Sequence, residues 1–329
     1  MAKQHGADEF EIIARYFRPL ASGCPGALGL ADDAALIEPT AGEVLVVTTD
    51  TLIAGVHFFE RDPPRLIGQK LLRVNLSDLA AMGAKPKVYF LALALPAGFD
   101  EVWLAGFCEG LRDDQSEFAI TLAGGDTTAI PGPVTLTVTA LGEVPKNQAL
   151  LRSGATAGDT IFVSGTIGDA ALGLRVLRGE IGGIRGELRD FLISRYHVPQ
   201  PRVTLGMALR GLAHAAIDVS DGLVGDLQHV CEASSVGADI EWPRVPLSDA
   251  ARDVLAVDPE FRSVVLGGGD DYELLFTAAP ESSAAIAAAG AKCGVPITAI
   301  GRIRKGDGVT VRDSNGGEIA VAAAGYRHF

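Results

Sequence analysis

The stretch VVTTDTLIAGVHF, residues 46–58, opens the reading of this chain. It continues EVLVV, so residues 43–50 form an apolar, β-branched run of the kind that makes a strand. That run ends on two hydroxyls and a carboxylate, Thr48, Thr49 and Asp50, and His57 follows within one short segment. Similar acidic clusters recur as GLADDAAL (29–36), NLSDLAAMG (75–83), AGGDTT (123–128), AIDVSDG (216–222) and GGGDDYELLF (267–276). Both Gly-Gly-Asp stretches, at Asp126 and Asp270, read as the ends of apolar strands.

Working outward, residues 10–17 place Phe10, Ile13, Ala14 and Phe17 at helical spacing. RLIGQKLLRVNLSDLAAMG (65–83) is a helix that stops at Gly83, with Pro86 beyond it. KVYFLALALP, FAITLAGGD and GPVTLTVTALGEV read as strands, and VWLAGFCEGLRDD as a helix. A polar, turn-rich stretch, PKNQALLRSGATAGD (145–159), marks a boundary, which sets domains of 1–148 and 149–329. In the second half TIFVSG is a strand and TIGDAALGLRVL a glycine-rich turn opening a helix. A strand enters Asp218, Ser220 sits at a helix N-cap, and Leu223, Leu227, Val230 and Cys231 form one helical face. Residues 178–200 carry no clear period. The whole is a two-domain α+β and α/β chain.

Composition narrows the function. The 329 residues are 48% hydrophobic and 21% charged, enough for two cores. The formal charge is −13, and the longest basic run is RIRK (302–305), so nucleic acid is not an expected partner. No run of eighteen apolar residues exists and the N-terminal MAKQHGADEFEIIARYF lacks an apolar signal core, so no membrane partner is expected and a cytoplasmic location is. The four cysteines, Cys24, Cys108, Cys231 and Cys293, have neither disulfide-framework nor zinc-knuckle spacing.

One aspartate beside glycine is ordinarily a turn residue. Six such sites are harder to dismiss together. Two unit charges about 4 Å apart repel by about 4 kcal/mol at an effective dielectric of about 20, and a divalent cation removes that cost. Carboxylate, hydroxyl and water oxygens are the ligand set of Mg²⁺, which commonly shares its shell with phosphates. The chain has neither a P-loop nor the protein-kinase motifs. GGGDD and SGTIGDAALG can instead present backbone N–H groups to an anion.

Taken in order, GLADDAAL, TTDTLIAGVHF, NLSDLAAMGAKP, LAGGDTT, LLRSGATAGD, AIDVSDGL, GGGDDYEL and the terminal GYRHF resemble the thiamine-monophosphate kinases, within the aminoimidazole-ribonucleotide synthetase superfamily. The resemblance spans essentially the whole chain. It implies an N-terminal mixed-sheet ATP-binding domain that pairs with its twin in a dimeric barrel, and a C-terminal α/β domain closing over the ATP cleft. It implies ATP as co-substrate, several Mg²⁺ ions and thiamine monophosphate as acceptor. Position by position, Asp33, Thr48, Thr49, Asp50, Asp78, Asp126, Asp218 and Asp221 match magnesium ligands, with Asp50, Asp126 and Asp221 at the chemistry. Gly125, Asp126, Arg152 and Ser220 match ATP contacts, and His57, Asp270 and Ala323 match substrate contacts.

Two positions depart from the family pattern. Asp270 stands where the family carries Glu, and Ala323 where an aromatic is common. Asp32 reads as the turn partner of Asp33, and Tyr272 and Glu273 as plain strand residues. Among rival readings, selenophosphate synthetase calls for a reactive Cys before a nearby Lys, but Cys24 is followed by PGALG. A hydrogenase-maturation relative ends on Cys, and this chain ends RHF. A non-catalytic Mg·ATP-binding module is the rival from outside the enzymes. The apolar sheet of the first half exceeds what one small domain covers, which predicts a homodimer joined through it.

Overall fold

The computed structural model describes residues 9–321, in two compact units. Unit 1 comprises Met1–Leu79 and Lys85–Lys146; unit 2 comprises Ala80–Ala84 and Asn147–Phe329.

Unit 1 begins with α1 (Glu9–Ile12), which widens into a π turn over Ile13–Phe17 and tightens into 3₁₀ turns. Its sheet contains β1 (Glu43–Ile53), β2 (Lys85–Pro96), β3 (Thr121–Ile130) and β4 (Thr135–Pro145) in the order β1-β4-β2-β3. The β1–β4 and β4–β2 pairs are antiparallel and β2–β3 is parallel, so the sheet is mixed. Two 18-residue helices, α2 (Pro64–Ala81) and α3 (Glu101–Phe118), accompany it. Proline at the first position of α2 lacks the N–H that would go unpaired there. Gly83, at φ +66°, gives α2 its left-handed stop. On α3, Asp100 caps the start by accepting the Val102 N–H. Leu71, Leu72, Leu76 and Leu79 of α2 are buried, as are Leu104, Phe107 and Leu111 of α3 and Tyr89, Leu91, Leu93 and Leu136 of the sheet. A buried fork joins the helices: Arg73 donates twice to Asp114, at 2.9 and 2.8 Å, and once to Glu117.

Two expectations about unit 1 need correction. β1 does not give out at Asp50, because β4 pairs with it from Glu43 to Ile53. Asp126 likewise lies within β3, opposite Ala92 of β2, and the strand runs on to Ile130. In both strands the partner's full-length hydrogen-bond ladder outweighs the local polar break.

Unit 2 is built on six strands: β5 (Thr160–Ser164), β6 (Ala215–Asp218), β7 (Gly237–Glu241), β8 (Leu274–Ala278), β9 (Ile297–Arg304) and β10 (Val309–Arg312). Their order is β10-β7-β9-β5-β8-β6, and all neighbours are antiparallel except β10 and β7. The helices are α4 (Asp169–Leu177), α5 (Gly186–His197), α6 (Val203–Ala208), α7 (Leu223–Ser234), α8 (Asp249–Val257), α9 (Arg262–Gly267) and α10 (Ser283–Cys293). β5 and β8 are buried along their whole length, with Phe162 and Phe276 stacked at 5.3 Å as register partners. Strands covered on both faces read as continuous apolar runs, as TIFVS and LLFTA do. The expected face of α7 is buried: Leu223, Leu227, Val230 and Cys231 are all within 1% of full burial.

Three points differ from the sequence reading. The 178–200 region contains α5, whose only buried residues are Leu192, Arg195 and Tyr196, too few to give a periodic signal. Ser220 is not an N-cap; Gly222, at φ +130°, precedes α7 and no side chain caps it from that position. The apolar run before Asp270 is helix α9, not a strand, a short stretch whose period cannot separate the two.

Candidate active site

In unit 1 the structure brings Thr48, Asp50 and Asp78 together at β1, whereas Gly125 and Asp126 lie on β3, at the opposite edge of the sheet with β4 and β2 between. Thr48 donates its hydroxyl to the Asp78 carboxylate on α2, a short charge-assisted bond. Asp50, two residues on, shares that face of the strand, because side chains alternate. Thr49 turns the other way: it donates to the Val138 carbonyl at 3.1 Å and lies 3.1 Å from the Thr139 hydroxyl. Thr51 and Thr137 form the next such pair, at 2.8 Å. Asp126 is exposed on β3, and Asp33 is exposed in a bend where its N–H donates to Asp32 at 3.0 Å, the turn pairing expected. Gly125 has a steric reason to be glycine, since a Cβ there would stand 1.9 Å from the Leu91 carbonyl oxygen. Half-buried His57 accepts the Ile53 N–H on Nδ1 at 3.0 Å, so its neutral ring carries the proton on Nε2.

The candidate residues of unit 2 sit on two loops laced together by their backbones. β6 ends on buried Asp218, and the loop after it carries half-buried Ser220 and Asp221. The loop before β8 carries Asp270. Asp270 N–H donates to the Ser220 carbonyl, Tyr272 N–H to the Val219 carbonyl, and Val219 N–H to the Glu273 carbonyl, each at 2.8 Å. The approach is so close that a Cβ on Gly269 would lie 2.2 Å from the Ser220 oxygen. Asp270 and Tyr272 both adopt left-handed backbone, at φ +72° and +51°. Exposed Arg152 supplies its carbonyl to the Ser234 hydroxyl, at 3.3 Å. Its guanidinium also acts on Asp226 electrostatically. Ala323 lies outside the described residues.

Several residues here were missed by sequence reasoning. Asp226, inside the first turn of α7, accepts the N–H groups of Asp221 and Gly222 at 3.0 Å each, doing the work assigned to a Ser220 cap. Burial pushes its carboxyl up to about 7 against those N–H groups and Arg152. Fully buried Asp271 accepts the N–H of Gly168 at 2.6 Å and of Ala170 at 3.2 Å, at the start of α4. Burial first, and the Asp169 charge second, push it up to about 8. Glu273, read as a plain strand residue, is a buried ion-pair centre. An acid embedded in an apolar helical face, as Asp226 is among Leu223, Leu227 and Val230, was the available signal.

Oxygen donors are what both loops and β1 offer. Among the described residues, no three His, Cys, Asp or Glu side chains form a group that could hold a metal ion. Magnesium does not require one, because it is commonly held by one or two carboxylates, with phosphate and water completing the shell. A hydroxyl and two carboxylates on one face, as at Thr48, Asp50 and Asp78, fit that chemistry.

Comparison with known proteins gives the lineage. Residues 31–144 match the AIR synthase related protein N-terminal domain, and residues 156–314 the C-terminal domain of the same family. The thiamine-monophosphate kinase of Escherichia coli K12 is 43% identical over 324 residues, 98% of each chain. The crystal structure of thiamine-monophosphate kinase from Stenotrophomonas maltophilia K279a is 46% identical with a TM-score of 0.80, covering 86% of this chain and 89% of that one. AaThiL, solved in complex with AMPPCP and TMP, is 30% identical with a TM-score of 0.78 over all of both chains. Among the described residues no helix is long and apolar enough to cross a membrane. This chain therefore belongs to the AIR synthase related proteins and, within them, to the thiamine-monophosphate kinase family.

Proposed function

We propose that this protein transfers the γ-phosphoryl group of ATP directly to the phosphate of thiamine monophosphate, giving ADP and thiamine diphosphate. The observation that carries this reading is identity of 43% along 98% of a thiamine-monophosphate kinase, with Asp50 and Asp218 on strands, Asp78 on helix α2 and Asp221 on a loop. The AMPPCP and TMP bound by a structural relative support the same pair of substrates here.

The acceptor needs no strong base. A phosphate monoester has its second pKa near ~6, so the attacking oxygen is already anionic at neutral pH. That oxygen forms a bond to the γ-phosphorus as the bond to the bridging oxygen breaks, and ADP leaves with the electron pair. The obstacle is bringing two anions together, which positioning and positive charge overcome. Arg152 would neutralise ATP phosphate, assisted by the backbone at Gly125 and by Ser220. His57, with its proton on Nε2, would donate to the substrate phosphate, and Asp270 and Ala323 would meet the thiamine side. Asp33, Thr48, Asp50, Asp78, Asp126, Asp218 and Asp221 would hold Mg²⁺, with Asp50, Asp126 and Asp221 nearest the transfer; Thr49, whose hydroxyl faces away from Asp50, would join them only through its main-chain carbonyl. Magnesium, when bound, supplies charge neutralisation and alignment of the phosphates.

The reading extends to assembly and location. The domain of residues 1–148 carries ATP and magnesium and joins two copies, and the domain of residues 149–329 completes the enzyme in the cytoplasm. The threonine-lined face of the unit 1 sheet, with Val47 59% exposed beside it, supports a homodimer. Incubation with ATP, Mg²⁺ and thiamine monophosphate, followed by chromatography, tests the reaction. Equal ADP and thiamine diphosphate are expected, and nucleotide binding without product would refute it.

A further inference from the structure

The loop bearing Asp270 is strained, and the strain has an identifiable restraint. A non-glycine residue in left-handed backbone is disfavoured and persists only where its surroundings over-determine it. Asp270 and Tyr272 are two such residues separated by one position. Immediately after them comes Glu273, 1% exposed and saturated with donors. Its Oε2 accepts the Ser164 hydroxyl at 2.6 Å and Arg202 Nε at 2.7 Å; its Oε1 accepts Arg202 Nη2 at 2.5 Å and Arg195 Nη2 at 3.0 Å. The same Arg195 nitrogen donates to the Asp271 carbonyl at 3.2 Å, inside the strained loop. Ser164 in turn accepts the Leu274 N–H at 2.8 Å.

A buried ion pair is weak evidence for stability, since well-packed apolar residues of similar volume often serve as well. What the bidentate arginine adds is direction. Every partner of Glu273 acts on residues 271–274, and the Glu273 carbonyl accepts the N–H of Val219 at the start of the other loop. We propose that Glu273, clamped by Arg202, Arg195 and Ser164, is the positioning residue that holds Asp270 against the Ser220 and Asp221 loop. It touches no substrate itself; it sets where the thiamine-side carboxylate stands relative to the loop carrying Ser220 and Asp221. This inference rests on the proposed function for its kinetic readout alone.

Arg202→Lys keeps the charge and removes the fork. Hydrogen exchange in the full-length protein should quicken by about tenfold or more in peptides covering 218–222 and 268–274, and remain unchanged in α2 and α3. The KM for thiamine monophosphate should rise about tenfold, the size of one charged hydrogen bond, with the KM for ATP held within about twofold. Ser164→Ala, a smaller change, should move both readouts the same way by about threefold and serves if Arg202→Lys does not fold. A lower melting temperature with wild-type exchange in both loops and an unchanged KM would overturn the positioning role. Exchange needs no substrate, so it decides the role of Glu273 whatever the activity assay returns.

Discussion

The two candidate loops of unit 2 meet backbone to backbone: a Cβ on Gly269 would stand 2.2 Å from the carbonyl oxygen of Ser220. That oxygen is also the acceptor for Asp270 N–H at 2.8 Å, so neither chain can retreat without breaking the bond that joins the loops. Gly269→Ala should therefore cost about 1–3 kcal/mol, as other overpacked sites do, and weaken turnover more than it weakens folding. Thermal denaturation alongside steady-state kinetics checks this; full activity with unchanged Tm would mean the loops have slack.

Asp270 is one methylene shorter than the family's Glu, and its φ of +72° aims it from a left-handed backbone. Asp270→Ala should raise the KM for thiamine monophosphate by the equivalent of about 1.5–3 kcal/mol, the worth of a hydrogen bond to a charged group. The KM for ATP should barely change, and Asp270→Glu should keep or improve activity. Kinetics with each substrate varied in turn separates the outcomes. If Asp270→Ala weakened ATP and spared thiamine monophosphate, residue 270 would belong with the metal ligands.

Both the strands and the long helices could be read in the sequence because their signals are local. EVLVV and TIFVS are β-branched runs, and the helix ending at Gly83 carries its own stop. The candidate residues were legible as motifs, but their support was not. Glu273 acquires its meaning from Arg195 and Arg202, more than seventy positions earlier, and from Ser164, 109 residues away. No periodicity encodes such separations. The Ser220 reading failed for the opposite reason: a serine before a helix is a strong local signal, but the loop's N–H groups were claimed by Asp226 from within α7.

Asp271 should give the protein a pH signature. Its carboxyl is pushed from an ordinary 3.8 up to about 8 by burial and by the Asp169 charge, with the Gly168 N–H and Arg195 pulling the other way. A group whose folded pKa lies above its unfolded value favours the fold fully below the unfolded pKa and loses that contribution as pH rises through the folded one. The Asp271 contribution should thus decline from about pH 4 to about pH 8. Asp271→Asn, which cannot ionise, should remove that decline. Melting curves of both proteins between about pH 6 and pH 9 measure it, and parallel profiles would assign Asp271 an ionised role.

Val47 is 59% exposed and Val44 39%, on an edge strand paired on one side only. An open edge beside a threonine-lined face invites a partner strand or sheet. Sedimentation should show a dimer at micromolar concentration, and Val47→Glu should shift it toward monomer. A wild-type monomer under those conditions would count against assembly through unit 1.

The Thr48 hydroxyl donates to Asp78, and Asp50 lies on the same face of β1, so the three form the best-defined oxygen set in unit 1. If this set holds magnesium beside ATP, removing one ligand should be partly offset by more metal. Asp50→Asn should then lower turnover by orders of magnitude and shift the Mg²⁺ dependence to higher concentration, with the fold intact by circular dichroism. Thr48→Val removes a neutral oxygen and the donor to Asp78, and should give the smaller shift. Asp78→Asn should fall between the two, since the amide keeps one oxygen but drops the charge. The order of the three half-saturating Mg²⁺ concentrations is the measurement. Near-normal turnover of Asp50→Asn at saturating Mg²⁺, with an unshifted midpoint, would remove Asp50 from the metal site and leave Thr48 and Asp78 as a strand-to-helix hydrogen bond and nothing more.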